Sequence, residues 1–336
     1  MDLAIIDATH EAAERAADGS DRSRYTTPIA NTPLICHILG ELAESGIAQA
    51  TIIAGPGVRQ DLERVLGRDG TSGVEVSYVD TPPAERRRTV LAELNRALDQ
   101  APVLLHPGDC LFRGQVMTMR DRYHAGDVDS VLPEQASVAS RRYPADSRLS
   151  ETLLVLGPGT RPLLGDLLTP ASDGEDLIGV LLHSDCRLAV CELTEQWCYS
   201  EATGALLTAN RMMLDSLPPL SVVTGDFEAG NQLHGRVAIA DSAFVSNSVI
   251  HGPVAIADRA VVEDSFIGPY TAVGIDAVLS GAEIDDSMVL AGAEIRHPGY
   301  RIEASIIGER SQVMRSFDLP RGVHMRLRAD SHVSFS

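Results

Sequence analysis

From about Leu233 onward the chain repeats itself at an interval that neither a helix nor an ordinary strand uses. Ile239, Val245, Ile250, Ile256, Val262, Ile267, Val273 and Leu279 follow one another every six or five residues, with Ala, Gly, Ser and Asp filling the positions between. An amphipathic helix repeats its apolar face near every 3.6 residues and a half-buried strand every two, so neither produces this spacing. A β-sandwich is disfavoured on the same ground, because its strands alternate with period two. A parallel β-helix does produce it. Each coil has three short faces, one aliphatic side chain points inward on each, and only compact residues fit the corners. The stretches VAIADSAFVSNSVIHGPVAIADRAVVEDSFIGPYTAVG and GAEIDDSMVLAGAEI read as parts of one such solenoid, expected over residues 233–336.

The first 216 residues have a different texture. Short β-branched runs alternate with amphipathic stretches, the pattern of a mostly parallel, doubly wound α/β sheet. Strands are expected at Leu3 to Ile6, Thr51 to Ala54, Val74 to Val79 and Val103 to His106, and helices near 58–67 and 89–99. A further helix places Leu34, Ile38 and Leu42 on one face, with Gly46 as its C-terminal stop. Leu217-Pro-Pro-Leu220 opens a linker over 217–232. The expected architecture is therefore a Rossmann-like α/β domain (1–216) followed by a parallel β-helix and a C-terminal strip (233–336).

Composition narrows the chemistry. Every one of the 28 basic residues is Arg and none is Lys, against 47 carboxylates and a net charge of −19. Arg cannot deprotonate to a nucleophile, so Schiff-base chemistry and a P-loop lysine are excluded. Nucleic-acid and anionic-membrane partners are disfavoured, because both require clustered cations. The five cysteines, Cys36, Cys110, Cys186, Cys191 and Cys198, are scattered and never form CxxC. That pattern indicates neither a disulfide framework nor a zinc site, and a reducing cytoplasm is the expected setting. The N-terminus lacks a basic segment before an apolar run, so no secretion signal is expected.

Several phrases carry a family resemblance. Pro28-Ile-Ala-Asn-Thr-Pro-Leu-Ile35, ELAESGI, Gly108-Asp109, Leu206-Leu-Thr-Ala-Asn-Arg211, SFIGPYTAVG and GERSQVMRSFDLPRG appear in the order found in the long-form glucose-1-phosphate thymidylyltransferases. These are sugar-1-phosphate nucleotidyltransferases with a left-handed β-helix tail. The resemblance implies a nucleotide-sugar cleft, a glycine-rich phosphate cradle after the first strand, two lysines on the reacting phosphates, and Mg²⁺ held between two carboxylates.

This chain departs from that set at almost every point. The cradle is replaced by Asp7-Ala-Thr-His-Glu-Ala-Ala-Glu-Arg-Ala-Ala-Asp, with no glycine before Gly19. Arg24 and Arg141 align with the two lysines. Asp109 keeps one metal position, Tyr199 takes the other, and Glu201 is a carboxylate that could swing in as a substitute. The segment from Asp109 to Arg141 is also shorter than the family pattern. The expectation is a repurposed cleft that binds or converts another small metabolite, in specialised biosynthesis, with no cofactor required. Two alternatives stand beside it: an active NDP-sugar synthase that uses Mg²⁺ at Asp109, and a non-catalytic partner subunit. A homo-oligomer, dimer or tetramer, is expected.

The candidate site gathers residues just past strand carboxyl ends, where open α/β sheets bind ligands. His106 and Asp109 bracket the Pro107-Gly108 turn and are placed to exchange protons. Tyr199 and Glu201 would form a polar rim, with Asp7 deeper and His10 beside it. Arg24 and Arg141 would contact an anionic group. Arg86, Arg87 and Arg88 precede the helix expected at 89–99, where they could grip an anion or simply pair with Glu85 and Glu93. His234, His251 and His297 lie in the solenoid. An acyltransferase role for them is disfavoured because no long loop interrupts the coils.

Overall fold

A computed structural model describes residues 1–9, 23–99, 101–134, 152–169, 176–200, 202–217 and 230–315. The N-terminal region is built on a seven-stranded sheet. Its strands are β1 (Leu3–Ala8), β4 (Gln49–Ala54), β5 (Glu75–Asp80), β6 (Val103–Pro107), β8 (Ser130–Pro133), β9 (Leu154–Leu156) and β10 (Leu188–Cys191), in the order β10-β8-β9-β6-β1-β4-β5. All pairings are parallel except those of β9, which runs antiparallel to both β6 and β8. Two small ribbons sit outside it: β2 (Pro28–Ile29) with β3 (Thr32–Pro33), and β7 (Cys110–Leu111) with β11 (Trp197–Cys198).

Alternating side chains make the sheet two-faced. Ala4, Ile6, Ile52 and Leu104 share one core with Leu34, Ile38 and Leu42 of α1 (Leu34–Glu44), as the sequence spacing anticipated. Ile5, Ile53 and Leu105 share the other with Val90, Leu91 and Leu94 of α3 (Arg86–Ala97). Helices on both faces of a mostly parallel sheet are the doubly wound arrangement. Between β4 and β5 runs α2 (Pro56–Asp69), and α4 (Gln115–His124) follows β7.

The C-terminal region forms three five-stranded parallel sheets stacked as a prism, the architecture of the expected left-handed β-helix. Inward columns run Leu233, Ile250, Ile267, Ile284, Ile302 on one side and Val245, Val262, Leu279, Ile295, Val313 on another. The corners account for the small and polar residues of the repeat. Asn247, Asp264, Gly281 and His297 stack at one corner, each with positive φ, a conformation that Asn, Asp and Gly tolerate best.

Three of the family-like phrases, Pro28–Ile35, Leu206–Arg211 and SFIGPYTAVG, turn out to form the joint between the two regions. Ala30 and Asn31 form the β2–β3 turn with φ of 47° and 70°. Asn31 Nδ2 donates to the carbonyls of Ala255 (3.2 Å) and Val273 (3.0 Å) in the solenoid. Asn210, fully buried, accepts from Ala30 N–H (3.0 Å) and donates to Tyr270 O (2.9 Å). Arg211 pairs with Asp286. Among the described residues no helix is long and apolar enough to cross a membrane.

The cysteines depart from expectation. Cys110 and Cys198 form a disulfide across β7 and β11, and Cys36, Cys186 and Cys191 remain free. The 88-residue separation hid this pair from any local reading. Only the antiparallel pairing of the two strands sets the sulfurs face to face.

Candidate active site

The sheet order reverses between β1 and β6: the chain leaves β1 toward β4 and β5, then returns to β6 on the opposite side. A ligand crevice is expected at the carboxyl ends of strands at such a switch point. Asp7 and Pro107 are register partners there. The turn is tight. Gly108 N–H donates to Asp7 O (2.9 Å), and a Cβ on Gly108 would lie 2.9 Å from that oxygen and 3.0 Å from Ile6 Cγ2. Glycine is therefore required for close approach, and it delivers Asp109 to the crevice as a 1% exposed residue. Asp7 is held from its own loop: its Oδ1 accepts from Thr9 N–H (3.0 Å) and Thr9 Oγ1 (2.6 Å).

Arg24 completes the centre. It opens a 3₁₀ turn, Arg24–Thr26, whose Ser23 cap accepts from Tyr25 N–H and whose Tyr25 is fully buried. Asp61 of α2 fixes the same turn by accepting from Ser23 N–H (3.1 Å). From this anchored position Arg24 Nη1 reaches Asp109 Oδ2 at 3.3 Å. Its guanidinium carbon lies 4.9 Å from the centre of the Tyr199 ring, within cation–π range. Tyr199 is placed by the β7–β11 ribbon, where its N–H donates to Asp109 O (2.9 Å) and its ring meets Trp197 edge-on.

The structure thus brings Asp7, Arg24, His106, Asp109 and Tyr199 to one locale. His106 is 1% exposed, its ring lies near the Pro107 backbone and Asp109, and Phe112 packs edge-on at 5.3 Å. Burial pushes its pKa down to about 4, so the imidazole is neutral at physiological pH and is a weak base. It is suited to accepting or donating one hydrogen bond, not to carrying charge.

The arginine triplet sits differently from expectation. A 3₁₀ turn, Pro83–Glu85, feeds straight into α3, so Arg86, Arg87 and Arg88 form the first turn of the helix instead of preceding it. They share the carboxyl edge of the sheet but follow β5, two strands from β1. Glu93, one of their anticipated partners, pairs with Arg96 instead (2.9 Å). His10, Arg141 and Glu201 lie outside the described residues. In the solenoid, the exposed His234 and His251 rings meet edge-on with centroids 4.7 Å apart, and His297 turns a corner.

Two features escaped sequence reasoning altogether. The Cys110–Cys198 bond is one. The other is Glu41 of α1, whose carboxylate accepts from Gln115 and Val116 N–H (3.1 and 3.3 Å) at the start of α4. Burial raises its pKa to about 7. A cavity of about 610 Å³ opens at the domain joint, away from the strand ends, lined by residues including Thr26, Asn31, Arg64, Arg68 and Arg310. Among the described residues no three His, Cys, Asp or Glu side chains are grouped so as to hold a metal ion.

No family model matches the chain. Its similarity to individual proteins is extensive. It is 28% identical over 331 residues to the low-salt glycan biosynthesis nucleotidyltransferase Agl11 of Haloferax volcanii, covering 89% of this chain and 90% of that protein. It is 26% identical over 345 residues to a glucose-1-phosphate thymidylyltransferase of Streptomyces griseus, covering 94% of each. A CMP-5'-(3-aminopropyl)phosphonate synthase of Streptomyces rubellomurinus is 26% identical over 156 residues, 46% of this chain and 20% of that protein. With the α/β domain, the joint and the solenoid all in place, the chain is a homologue of the glucose-1-phosphate thymidylyltransferases.

Proposed function

We propose that this protein has given up nucleotidyl transfer and uses the former nucleotide-sugar cleft to bind or convert another small metabolite in a specialised biosynthetic route. The observation that carries the reading is the placement of Arg24. In the resembling family two carboxylates hold Mg²⁺ at this locale. Here Asp109 keeps one of those positions, Tyr199 aligns with the other, and the Arg24 guanidinium lies between the Asp109 carboxylate and the Tyr199 ring. Mg²⁺ requires near-octahedral oxygen ligation, and a carboxylate already paired with a guanidinium beside an aromatic face does not suit it. Arg24 supplies a positive charge beside Asp109, at the place where the resembling family's ion would sit.

The absence of lysine from the whole chain supports the same reading. Phosphoryl transfer depends on preorganised charge around the migrating group, and in this sequence the resembling family's lysines are replaced by Arg24 and Arg141 and its glycine-rich cradle has no counterpart. The remaining groups fit a metabolite that needs one buried neutral imidazole, a paired carboxylate and an aromatic wall. The reading includes a homo-oligomer with no nucleic-acid or membrane partner.

A second reading, an active NDP-sugar synthase, draws on near full-length similarity to thymidylyltransferases. A thermal-shift panel separates the two. Stabilisation by lipophilic or polycyclic metabolites, with none from nucleoside triphosphates in Mg²⁺, is the expected result. Stabilisation by a nucleoside triphosphate that requires Mg²⁺ would favour the synthase.

A further inference from the structure

The Cys110–Cys198 bond lies where it can act on the cleft. Cys110 follows Asp109 directly, and Cys198 precedes Tyr199, so the two cysteines and the two site residues occupy adjacent rungs of one antiparallel ribbon. That ribbon has only two residues per strand. A two-stranded pairing so short has little stability of its own in water, and the covalent bond fixes its register. The next rung is the Tyr199 N–H bond to Asp109 O, and above it Arg24 spans the Asp109 carboxylate and the Tyr199 ring.

The two sulfurs differ in access. Cys110 is fully buried, with its Sγ 3.7 Å from Asp109 Oδ1, whereas Cys198 is exposed. Thiol–disulfide exchange requires in-line approach of a thiolate to one sulfur, and only the Cys198 side admits one from solvent.

We propose that Cys110–Cys198 is a thiol-exchange site that sets the geometry of the cleft, with a dithiol reductant as its reaction partner. The inference rests on the cleft being the ligand site. One thiolate of the reductant attacks Cys198 Sγ, forming a mixed disulfide and expelling Cys110 sulfur, which takes up a proton. The second thiol of the reductant then attacks the mixed disulfide, releasing Cys198 as a thiol and leaving the reductant as its disulfide. Two electrons and two protons pass from the dithiol to the protein. Reduction frees β11 from β7, loosens the Tyr199–Asp109 rung, and removes the ring from its fixed distance to Arg24.

The chain contains a built-in reporter, because Trp197, its single tryptophan, is register-paired next to the bond. Thiol counting by alkylation and intact mass, after exposure to oxidised glutathione, is expected to find three free thiols, rising to five with dithiothreitol. Trp197 emission is expected to shift reversibly between the two states, and hydrogen exchange at the Tyr199 amide to accelerate about tenfold or more on reduction. Cys198→Ser, a change at an exposed position, is expected to abolish both responses while retaining the fold. Five thiols after oxidation would overturn the proposal. So would a demonstrated cleavage of the bond that leaves Trp197 emission and Tyr199 exchange unchanged. Neither readout uses a nucleotide or a metabolite, so failure here is distinguishable from failure of the functional reading.

Discussion

Arg24 Nη1 stands 3.3 Å from Asp109 Oδ2, and both side chains are withdrawn from solvent, at 11% and 2% exposure. The partners are 85 residues apart, Arg24 in its 3₁₀ turn and Asp109 just past the end of β6. Removing one member of a buried ion pair leaves an uncompensated charge, at a typical cost of about 3–5 kcal/mol. Arg24→Ala is therefore expected to lower stability by about that amount in urea unfolding. Asp109→Asn is expected to recover part of the loss in the Arg24→Ala background. A double-mutant cycle with no coupling would show that the pair does not organise the cleft.

The pH dependence contains two opposed contributions. His106 has a folded pKa near 4 because burial disfavours its charged form. In the unfolded chain it protonates near 6.5, so its contribution is full above that pH and is lost as pH falls from 6.5 toward 4. Glu41 has the reverse sign. Its folded pKa is raised from 4.5 to about 7 by burial, so the folded state binds its proton more tightly and stability falls as pH rises from 4.5 through 7. The two largely offset one another between pH 4.5 and 6.5. Each shift corresponds to about 3 kcal/mol. Glu41→Gln is expected to unmask a steep loss of stability in acid, and His106→Leu a decline from pH 4.5 to 7. Parallel curves for wild type and both variants would contradict these assignments.

Gly108 is expected to be intolerant of a side chain for a purely local reason. A Cβ there meets the Asp7 carbonyl at 2.9 Å, and backbone cannot yield as a flexible side chain does. Gly108→Ala is expected to cost about 1–3 kcal/mol, in the range of overpacking changes. Gly67, inside α2, is the control, because a methyl group there would meet no atom within 4 Å. Gly67→Ala is expected to stabilise by about 0.5–1 kcal/mol through helix propensity. Equal effects at the two positions would remove the steric argument.

Asn210 joins the two regions from a fully buried position. Asn210→Ala strands the Ala30 N–H and the Tyr270 carbonyl, and an unsatisfied buried polar group costs about 1–3 kcal/mol. The expected result is lower stability together with protease nicking near the joint before the solenoid unfolds. Unaltered nicking and stability would show that the joint is held elsewhere, as by Arg211 and Asp286.

What could be read in the sequence was whatever repeats or alternates locally. The hexad spacing of Ile239 through Leu279 led directly to the stacked sheets, because each coil buries its aliphatic in the same way. The strands and helices around α1 followed from period alone. The Pro28–Ile35 and Leu206–Arg211 phrases signalled kinship, but their role as a domain joint emerged only when Asn31 and Asn210 were seen bonded to solenoid carbonyls. Pairings across long separations were illegible. Nothing local marks Cys110 for Cys198, or Arg24 for Asp109, since strand order creates both contacts. The arginine triplet was misplaced for a smaller reason: a 3₁₀ turn at Pro83–Glu85 advances the start of α3 onto Arg86.

Replacement of the resembling enzymes' divalent ion by Arg24 is tested most directly by pyrophosphate release from nucleoside triphosphate and glucose 1-phosphate, measured with and without Mg²⁺. No release above the protein-free rate is expected in either condition, for wild type and for Arg24→Lys alike. Sustained Mg²⁺-dependent release by the wild-type protein, lost in Asp109→Asn, would contradict the replacement.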